Sequence, residues 1–201
     1  NAAHTIGIDD ADFQAAGASI VDGPGEVFAQ ADMIIKVKEL QASEFALMRE
    51  DQILFTYLHL AAEPELARIL LSARVTGIGY ETVQEDDGRL QLLYPMSEIA
   101  GLLAPQIASY LLWTTSGGPG KLLSGVPGME PLHVAIVGGG TVGINAALKA
   151  SALGARVTIL DINLDRLRYI GQTRNGTIQT IVATPRNIAD VLSQADVVIG
   201  A

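Results

Sequence analysis

The sequence has 201 residues, of which 49% are hydrophobic and 17% charged, and it contains no cysteine. This apolar content excludes a disordered chain. The absence of cysteine excludes thiolate metal sites, cysteine nucleophiles and disulfides. A net charge of −9 argues against electrostatic binding to nucleic acid or to an anionic membrane. We therefore expect a folded protein that acts on neither of these partners.

No segment has the length and the uncharged apolar composition of a membrane span. The most apolar stretch, residues 133–160, is interrupted by glycines and by Asn145, Lys149 and Arg156. Residues 1–4 provide neither the basic start nor the apolar core of a secretion signal. The sequence therefore favours a cytoplasmic location.

The first half of the sequence alternates short β-branched runs with helical patterns. Strands are predicted at residues 33–37, 53–58 and 75–80, and helices at residues 42–49 and 63–73. This alternation indicates βαβ units and a parallel sheet.

A longer helical pattern and a glycine-rich segment follow. Apolar residues recur at helical spacing between Pro95 and Trp113, and Pro105 predicts a kink in this helix. Residues 117–128 contain five glycines and two prolines, which predicts a loop and a domain junction.

The second half has a regular βα rhythm that predicts a doubly wound sheet. The predicted strands are residues 134–137, 156–160, 177–182 and 197–199, and the predicted helices are residues 141–153, 163–170 and 186–193. The expected fold class is therefore α/β, with two Rossmann-like parallel-sheet domains joined by a long helix. We assign residues 1–93 to the first domain, residues 94–116 to the connecting helix and residues 117–201 to a dinucleotide-binding domain.

The segment from Gly138 to Gly143 matches the dinucleotide fingerprint G-x-G-x-x-G, directly after a predicted strand and at the start of a predicted helix. Gly138 permits a tight turn, Gly140 permits close approach of a pyrophosphate, and Gly143 lets the helix pack on the strand. Thr141 and Val142 complete the turn. This context favours a nucleotide cofactor over an ordinary βα turn.

Asp161 closes the next predicted strand, 18 residues after Gly143. A carboxylate at this position accepts hydrogen bonds from the adenosine ribose and repels a 2′-phosphate, which favours NAD over NADP. Arg166 and Arg168 lie close enough to weaken that repulsion. The alternative is that Asp161 merely caps the helix that begins at Asn163.

Two predicted strands of the first half end in polar residues that could face a substrate. Lys36 and Lys38 point to one face, and His59 ends the next strand. A neutral imidazole can transfer a proton, and a lysine can bind a carboxylate or polarise a carbonyl. The alternatives are a structural histidine and solvated lysines. No acidic or histidine cluster has metal-ligand spacing, so no metal site is expected.

Seven stretches of the sequence resemble alanine dehydrogenases, and they extend over essentially the whole chain. They are residues 35–39, 52–62, 80–84, 95–101, 125–128, 137–143 and 160–168. The α subunit of the proton-translocating transhydrogenase is similar more distantly, and it lacks the Leu-His-Leu-Ala block that begins at Leu58.

The resemblance implies oxidative deamination of L-alanine to pyruvate and ammonium with reduction of NAD, in a cytoplasmic homohexamer that serves L-alanine catabolism. It implies that His59 is the acid/base residue and that Lys38, rather than Lys36, binds the substrate. The implied cofactor contacts are Ser97, Asp161 and Arg166.

The resemblance also implies that both domains are incomplete, because family members begin with an earlier strand and continue past the last one. We therefore expect this chain alone to be inactive. Two alternatives stay open: a non-catalytic NAD-binding domain like that of the transhydrogenase α subunit, and another amino-acid dehydrogenase of the same plan. His59 and Lys38 argue against the first.

Overall fold

The computed structural model describes residues 3–173 and 177–201. Residues 1–2, which the sequence assigns to the start of the first domain, and residues 174–176 lie outside the described residues. The chain divides into two units, Asn1–Leu92 and Leu93–Ala201. Each contains helices and one parallel sheet, which confirms the predicted fold class.

The first unit contains a three-stranded sheet in the order β1-β2-β3. Its elements in chain order are α1 (Asp10–Ala15), α2 (Pro24–Gln30), β1 (Met33–Ile35), β2 (Ile53–Thr56), α3 (Pro64–Ala73) and β3 (Thr76–Gly79). All three strands are parallel, and α3 forms the crossover between β2 and β3. The carboxyl ends of the strands therefore lie at one edge of the sheet.

Two helices of this unit were not predicted, and the predicted helix at residues 42–49 is a 3₁₀ helix, Ala42–Leu47. The first, α1, is stabilised by a capping box, because the Asp9 carboxylate accepts the backbone N–H of Asp12 and the Asp12 carboxylate accepts that of Asp9. The second, α2, begins at Pro24 in its first position. Both helices are short, and what marks them is a capping box or a proline at the first position, so a search for apolar periodicity does not reveal them.

The strands end earlier than predicted: β1 ends at Ile35 rather than at Val37, and β2 ends at Thr56 rather than at Leu58. The buried Thr56 hydroxyl donates to the carbonyl oxygens of Val37 (3.1 Å) and Lys38 (2.8 Å). This side chain draws the segment after β1 into a bend. The lysines therefore follow the strand instead of sharing one of its faces.

A buried amide fastens α2 to the start of β2. Gln52 is 3% exposed, and its Nε2 donates to the carbonyl oxygens of Phe28 (2.9 Å) and Ala31 (2.7 Å). Arg49 donates to the same two carbonyls. These bonds satisfy acceptors at the end of α2 that the helix leaves unpaired.

The second unit contains a four-stranded parallel sheet in the order β6-β5-β4-β7. Its elements are α4 (Tyr94–Leu111), β4 (His133–Val137), α5 (Thr141–Ala152), β5 (Arg156–Asp161), α6 (Leu164–Thr173), β6 (Ile178–Val182), α7 (Pro185–Leu192) and β7 (Val197–Gly200). The strand order reverses between β4 and β7. Parallel sheets bind ligands at such a reversal, outside the carboxyl ends of the strands.

Helices α4 and α5 pack together inside this unit at Gly101. A Cβ atom on Gly101 would lie 2.4 Å from the carbonyl oxygen of Val142 and 2.7 Å from Cβ of Asn145. Pro105 lies buried within α4, one turn further along. None of the helices in the described part of the chain is long and apolar enough to cross a membrane.

The carboxylate of Asp196 fastens the glycine-rich loop to the sheet. Its Oδ1 accepts from Nζ of Lys121 at 2.6 Å, and its Oδ2 accepts from the backbone N–H of His133 at 3.0 Å. The hydrogen bond from Lys121 and that from His133 together hold the pKa of Asp196 below its usual value. The ionised form of Asp196 therefore stabilises the folded unit.

We expect Asp196→Asn to lower the free energy of unfolding at pH 7 by about 1 kcal/mol. Because the folded-state pKa is depressed, this contribution is complete above the unfolded-state pKa and is lost as the pH falls through the folded-state pKa. Urea unfolding between pH 7 and pH 3 should therefore show the difference shrinking in acid. Asp190→Asn is the control, because Asp190 is exposed and lies 3.7 Å from its partner Arg186. A difference independent of pH would contradict this role for Asp196.

Candidate functional site

The turn from β4 into α5 is so tightly built that two of its glycines, one in the loop and one in the first turn of α5, admit no side chain. Gly138 has a φ of +110°, and a Cβ atom there would lie 2.0 Å from the carbonyl oxygen of Ala201. A Cβ atom on Gly143 would lie 1.9 Å from the carbonyl oxygen of Gly138. The first turn of α5 thus packs directly on the loop, as a dinucleotide-binding turn requires.

Gly140 differs from these two glycines because no described atom crowds it. The atom nearest to a Cβ built on Gly140 is Nη1 of Arg166, 4.0 Å away. Gly140 precedes α5, whose first residues are Thr141 and Val142. The unpaired N–H groups of a helix N-terminus favour an anion. The space beside Gly140 therefore fits a pyrophosphate, and these residues fit a dinucleotide.

Asp161 ends β5 and contacts the glycine-rich loop. Its Oδ2 accepts the N–H of Gly139 at 2.5 Å, and its Oδ1 accepts the N–H of Asn163 at 2.7 Å. The side chain that caps α6 is that of Asn163, because its Oδ1 accepts the backbone N–H groups of Asp165 and Arg166. The half-buried carboxylate of Asp161 keeps further lone pairs for ribose hydroxyls.

A cavity of about 650 Å³ lies within the second unit beside this loop. Arg166 lines it and donates from Nη1 to the carbonyl oxygen of Gly139 at 3.1 Å. Thr141 also lines the cavity. Ser97 lies near the start of α4, and its neighbour Glu98 reaches the cavity whereas Ser97 does not line it. Of the predicted cofactor residues, Thr141 and Arg166 therefore line this cavity, whereas Ser97 does not.

In the first unit, His59 lies three residues after the end of β2, and it is exposed. Its φ is +49°, in the left-handed region. The imidazole stacks on the ring of Tyr57, with centroids 5.8 Å apart and planes 13° apart. It also lines a cavity of about 500 Å³ together with Leu60 and Thr82. This position leaves the imidazole accessible to a small molecule.

The two lysines that follow β1 have different surroundings. Lys36 forms a close ion pair with the Glu44 carboxylate. Lys38 is exposed, and no described residue forms an ion pair with its ammonium group. The Thr56 hydroxyl donates to the carbonyl oxygen of Lys38 at 2.8 Å, and this hydrogen bond fixes the backbone at Lys38. Of the two lysines, Lys38 is therefore the one whose charge is available for a substrate.

Glu81, which was not predicted from the sequence, lies beside His59 in the structure. The Glu81 carboxylate accepts the backbone N–H groups of Leu58 and His59. Burial acts to raise its pKa, but these donors, its own N–H and the nearby imidazole outweigh burial, so the pKa of Glu81 lies below its usual value. Glu81 follows β3 as His59 follows β2, so the rule that found the histidine could have found Glu81.

Within residues 3–173 and 177–201, no three His, Cys, Asp or Glu side chains are grouped so that they could hold a metal ion. The groups available for chemistry are therefore a histidine, a lysine and a carboxylate in the first unit, and a glycine-rich loop with its acidic and basic neighbours in the second. The two sets suit a small charged substrate and a dinucleotide, respectively.

Family models match nearly the whole chain. Residues 1–100 match "Alanine dehydrogenase/PNT, N-terminal domain" and residues 104–201 match "Alanine dehydrogenase/PNT, C-terminal domain". The chain is 52% identical over 193 residues to an alanine dehydrogenase of Methanococcus maripaludis, and 49% identical over 194 residues to that of Bacillus subtilis. Each match covers 96% of this chain but only 52% and 50% of the relatives, so the chain spans about half of their length.

Solved structures show the same likeness. The match to an L-alanine dehydrogenase structure covers 96% of this chain and 53% of the chain in that structure, with a TM-score of 0.80 and 42% sequence identity. A transhydrogenase from Sinorhizobium meliloti matches the whole chain with a TM-score of 0.73 at 20% identity, which shows a shared fold.

Proposed function

The chain belongs to the alanine dehydrogenase/PNT family. From this membership we propose that the full-length polypeptide, meaning one that contains this chain and is as long as the relatives, oxidises L-alanine with NAD. The observation that carries the proposal is the pair Lys38 and His59. Both follow neighbouring parallel strands, both are exposed, and neither side chain has an ion pair or hydrogen bond to any described residue.

The balanced reaction converts L-alanine, NAD⁺ and water into pyruvate, ammonium, NADH and a proton. When bound, the cofactor supplies the hydride acceptor. The remaining tasks belong to the protein: it binds the substrate carboxylate, orients the α-carbon and moves protons as the amine becomes an imine and water adds.

His59 performs the proton transfers in this proposal. An imidazole can both donate and accept a proton, and the ring nitrogens of His59 have no hydrogen-bond partner in the described chain. Lys38 contributes a fixed positive charge that attracts the substrate carboxylate or polarises its carbonyl. The first domain, assigned to residues 1–93, is in this view the substrate-binding domain.

The residues predicted from the glycine-rich turn hold the cofactor. Gly138 and Gly143 shape the turn, Gly140 leaves room for the pyrophosphate, and the N-terminal N–H groups of α5 at Thr141 and Val142 face it. The adenosine ribose contacts are Asp161 and Arg166, and Ser97 is a further cofactor contact. Residues 117–201 form the NAD-binding domain, and residues 94–116 connect it to the first.

We also propose a cellular location and an oligomeric state for the full-length polypeptide. The resemblance supports a homohexamer in the cytoplasm that serves L-alanine catabolism. Size-exclusion chromatography with light scattering of the full-length polypeptide tests the hexamer directly, since a monomer would contradict it.

The decisive experiment assays the full-length polypeptide with alanine, glycine and serine, each with NAD and with NADP. We expect alanine with NAD to give the highest kcat/KM, and we expect the 201-residue chain alone to be inactive. Higher turnover of serine or glycine would identify another amino-acid dehydrogenase. Hydride exchange between nucleotides without alanine oxidation would indicate a transhydrogenase-like role instead.

The preference for NAD should depend on Asp161. Asp161→Asn retains the size of the side chain but removes the charge that repels a 2′-phosphate, while Arg166 remains beside the loop. We expect the ratio of NADPH to NADH dissociation constants to fall by about tenfold or more, measured by nucleotide fluorescence. Asp190→Asn is the matched control, because Asp190 is exposed, lies 3.7 Å from its partner Arg186 and does not line this cavity. An unchanged ratio in Asp161→Asn would contradict the ribose contact.

A further inference from the structure

The backbone at His59 adopts a conformation that residues with a Cβ atom rarely take. The chain turns after Thr56, the last residue of β2, and His59 then has a φ of +49°. Left-handed residues other than glycine are strained, and they persist where surrounding contacts fix them. Something in the first unit must therefore hold this turn.

The Glu81 carboxylate makes the holding contacts. Its Oε1 accepts the N–H of His59 at 2.8 Å and that of Leu58 at 3.1 Å, and its Oε2 lies 3.2 Å from the nitrogen of Leu58. One ionised side chain thus satisfies two successive donors that lie beyond the end of the strand. Hydrogen bonds to a charged acceptor are among the strong ones.

Glu81 is itself fixed by its neighbours in the chain. It lies in the 3₁₀ turn Tyr80–Thr82, directly after Gly79. A Cβ atom on Gly79 would lie 3.1 Å from Oε2 of Glu81, so the glycine leaves room for the carboxylate. The ring of Tyr80 packs edge-on against Tyr57, with centroids 5.1 Å apart. The turn that carries Glu81 is therefore anchored on the aromatic ring that contacts His59.

Tyr57 orients the imidazole from the other side. Its ring stacks on that of His59, and its hydroxyl donates to the carbonyl oxygen of Leu92. Glu81 thus fixes the backbone of His59 and Tyr57 fixes the plane of its ring. Neither contact uses a ring nitrogen, so both nitrogens stay available to a reactant.

We infer that Glu81, which lines the same cavity as His59, is a positioning residue for His59 that acts through the two backbone N–H groups. This inference rests on the proposed catalytic role of His59. It assigns a function to the Glu81 carboxylate, which belongs neither to the proposed dinucleotide site nor to the surroundings of Lys38.

Kinetics of the full-length polypeptide provide the first test. Glu81→Gln keeps the size of the side chain and one acceptor oxygen, but it removes the negative charge that strengthens both hydrogen bonds and replaces the oxygen 3.2 Å from the nitrogen of Leu58 with an N–H₂ group that cannot accept. We expect kcat for alanine oxidation to fall about 10²-fold, with KM for alanine and Kd for NADH within twofold of the unmodified values. Glu85→Gln is the matched control, because Glu85 is exposed and pairs with Arg89. Its kcat should be unchanged.

Proton NMR of the 201-residue chain provides a readout that does not depend on activity. The sequence has three histidines, and the ring protons of His59 should be shifted upfield by the stacked Tyr57. Glu81→Gln should move them towards the values of the exposed His4. In the unmodified chain, the amide protons of Leu58 and His59 should shift together as Glu81 is protonated, at a pH below the usual range for glutamate.

The two readouts separate the inference from the proposed function. Loss of the upfield shift together with loss of kcat supports both. Loss of the shift with normal kcat supports the positioning role and overturns the catalytic role of His59. Retention of the shift in Glu81→Gln overturns the inference, whatever kcat does. If that variant does not fold, the acid titration of the unmodified chain decides, and amide protons that do not move together overturn the inference.

Discussion

His59→Asn in the full-length polypeptide should lower kcat for alanine oxidation by about 10³-fold while Kd for NADH stays within twofold. Asparagine carries no group that titrates near neutral pH, so proton transfer is lost, and general acid–base catalysis contributes about 10²–10⁴-fold. Asparagine is also the better choice than alanine because it tolerates the left-handed backbone at φ +49°. The variant thus removes the chemistry and retains the turn.

Two titrations on one preparation of the His59→Asn variant provide the measurement. The first records the steady-state rate as a function of alanine concentration, and the second records nucleotide fluorescence as a function of NADH concentration. His4→Asn is the control, because His4 is an exposed histidine of the same unit that belongs to no proposed site. NADH binding that weakens as much as turnover does would show that His59 supports the fold or the cofactor site rather than the proton transfer.

The glycine-rich turn between β4 and α5 was the part of the molecule that the sequence predicted best. The positions of Gly138 and Gly143 are dictated by backbone contacts between neighbouring elements, Gly140 leaves open space between them, and such requirements leave a local pattern in the sequence. Asp161 also follows from local order, because it ends the strand next to the loop. The geometry of these four residues is confirmed as a βα turn with a carboxylate beside it. Their role in binding NAD stays a prediction.

The choice between Lys36 and Lys38 could not be derived from spacing. Both lysines follow the same strand, and alternation places them on one face only if the strand continues to Val37. The structure shows that the Thr56 hydroxyl, 18 residues after Lys38, donates to the carbonyl oxygens of Val37 and Lys38, where the chain bends, and that Lys36 forms an ion pair with Glu44. Contacts between distant parts of the chain decide this question, and such contacts have no signature within a short window.

The position of Glu81 after a strand can be read from the sequence, but its role cannot. It lies 22 residues after His59, and its distinguishing feature is that its carboxylate reaches two backbone N–H groups on the neighbouring strand end. A sequence shows which residues can accept hydrogen bonds but not which backbone donors are left without partners. The left-handed φ of His59, which creates the need for such an acceptor, is equally invisible in the sequence.

The second large effect should come from Gly143→Ala, which we expect to destabilise the second unit. The added Cβ atom would lie 1.9 Å from the carbonyl oxygen of Gly138, a backbone atom that cannot move without displacing β4 or α5. Alanine gains about 1 kcal/mol of helix propensity, but overpacking against a backbone costs about 3 kcal/mol or more. The net loss should lower Tm by several degrees, as measured by calorimetry or circular dichroism.

Gly140→Ala is the matched variant, because it adds the same atom three residues away where the nearest described atom is 4.0 Å distant. The φ of −67° at Gly140 suits alanine, so Tm should change by no more than a degree or two. The methyl group would instead occupy the space that fits the pyrophosphate, so Kd for NADH should rise about 10²-fold in the full-length polypeptide. The pair therefore separates two reasons for a glycine in one motif, packing at residue 143 and ligand approach at residue 140. Equal losses of Tm in both variants would show that the shape of the turn serves folding alone, and unchanged NADH binding in Gly140→Ala would place the pyrophosphate elsewhere.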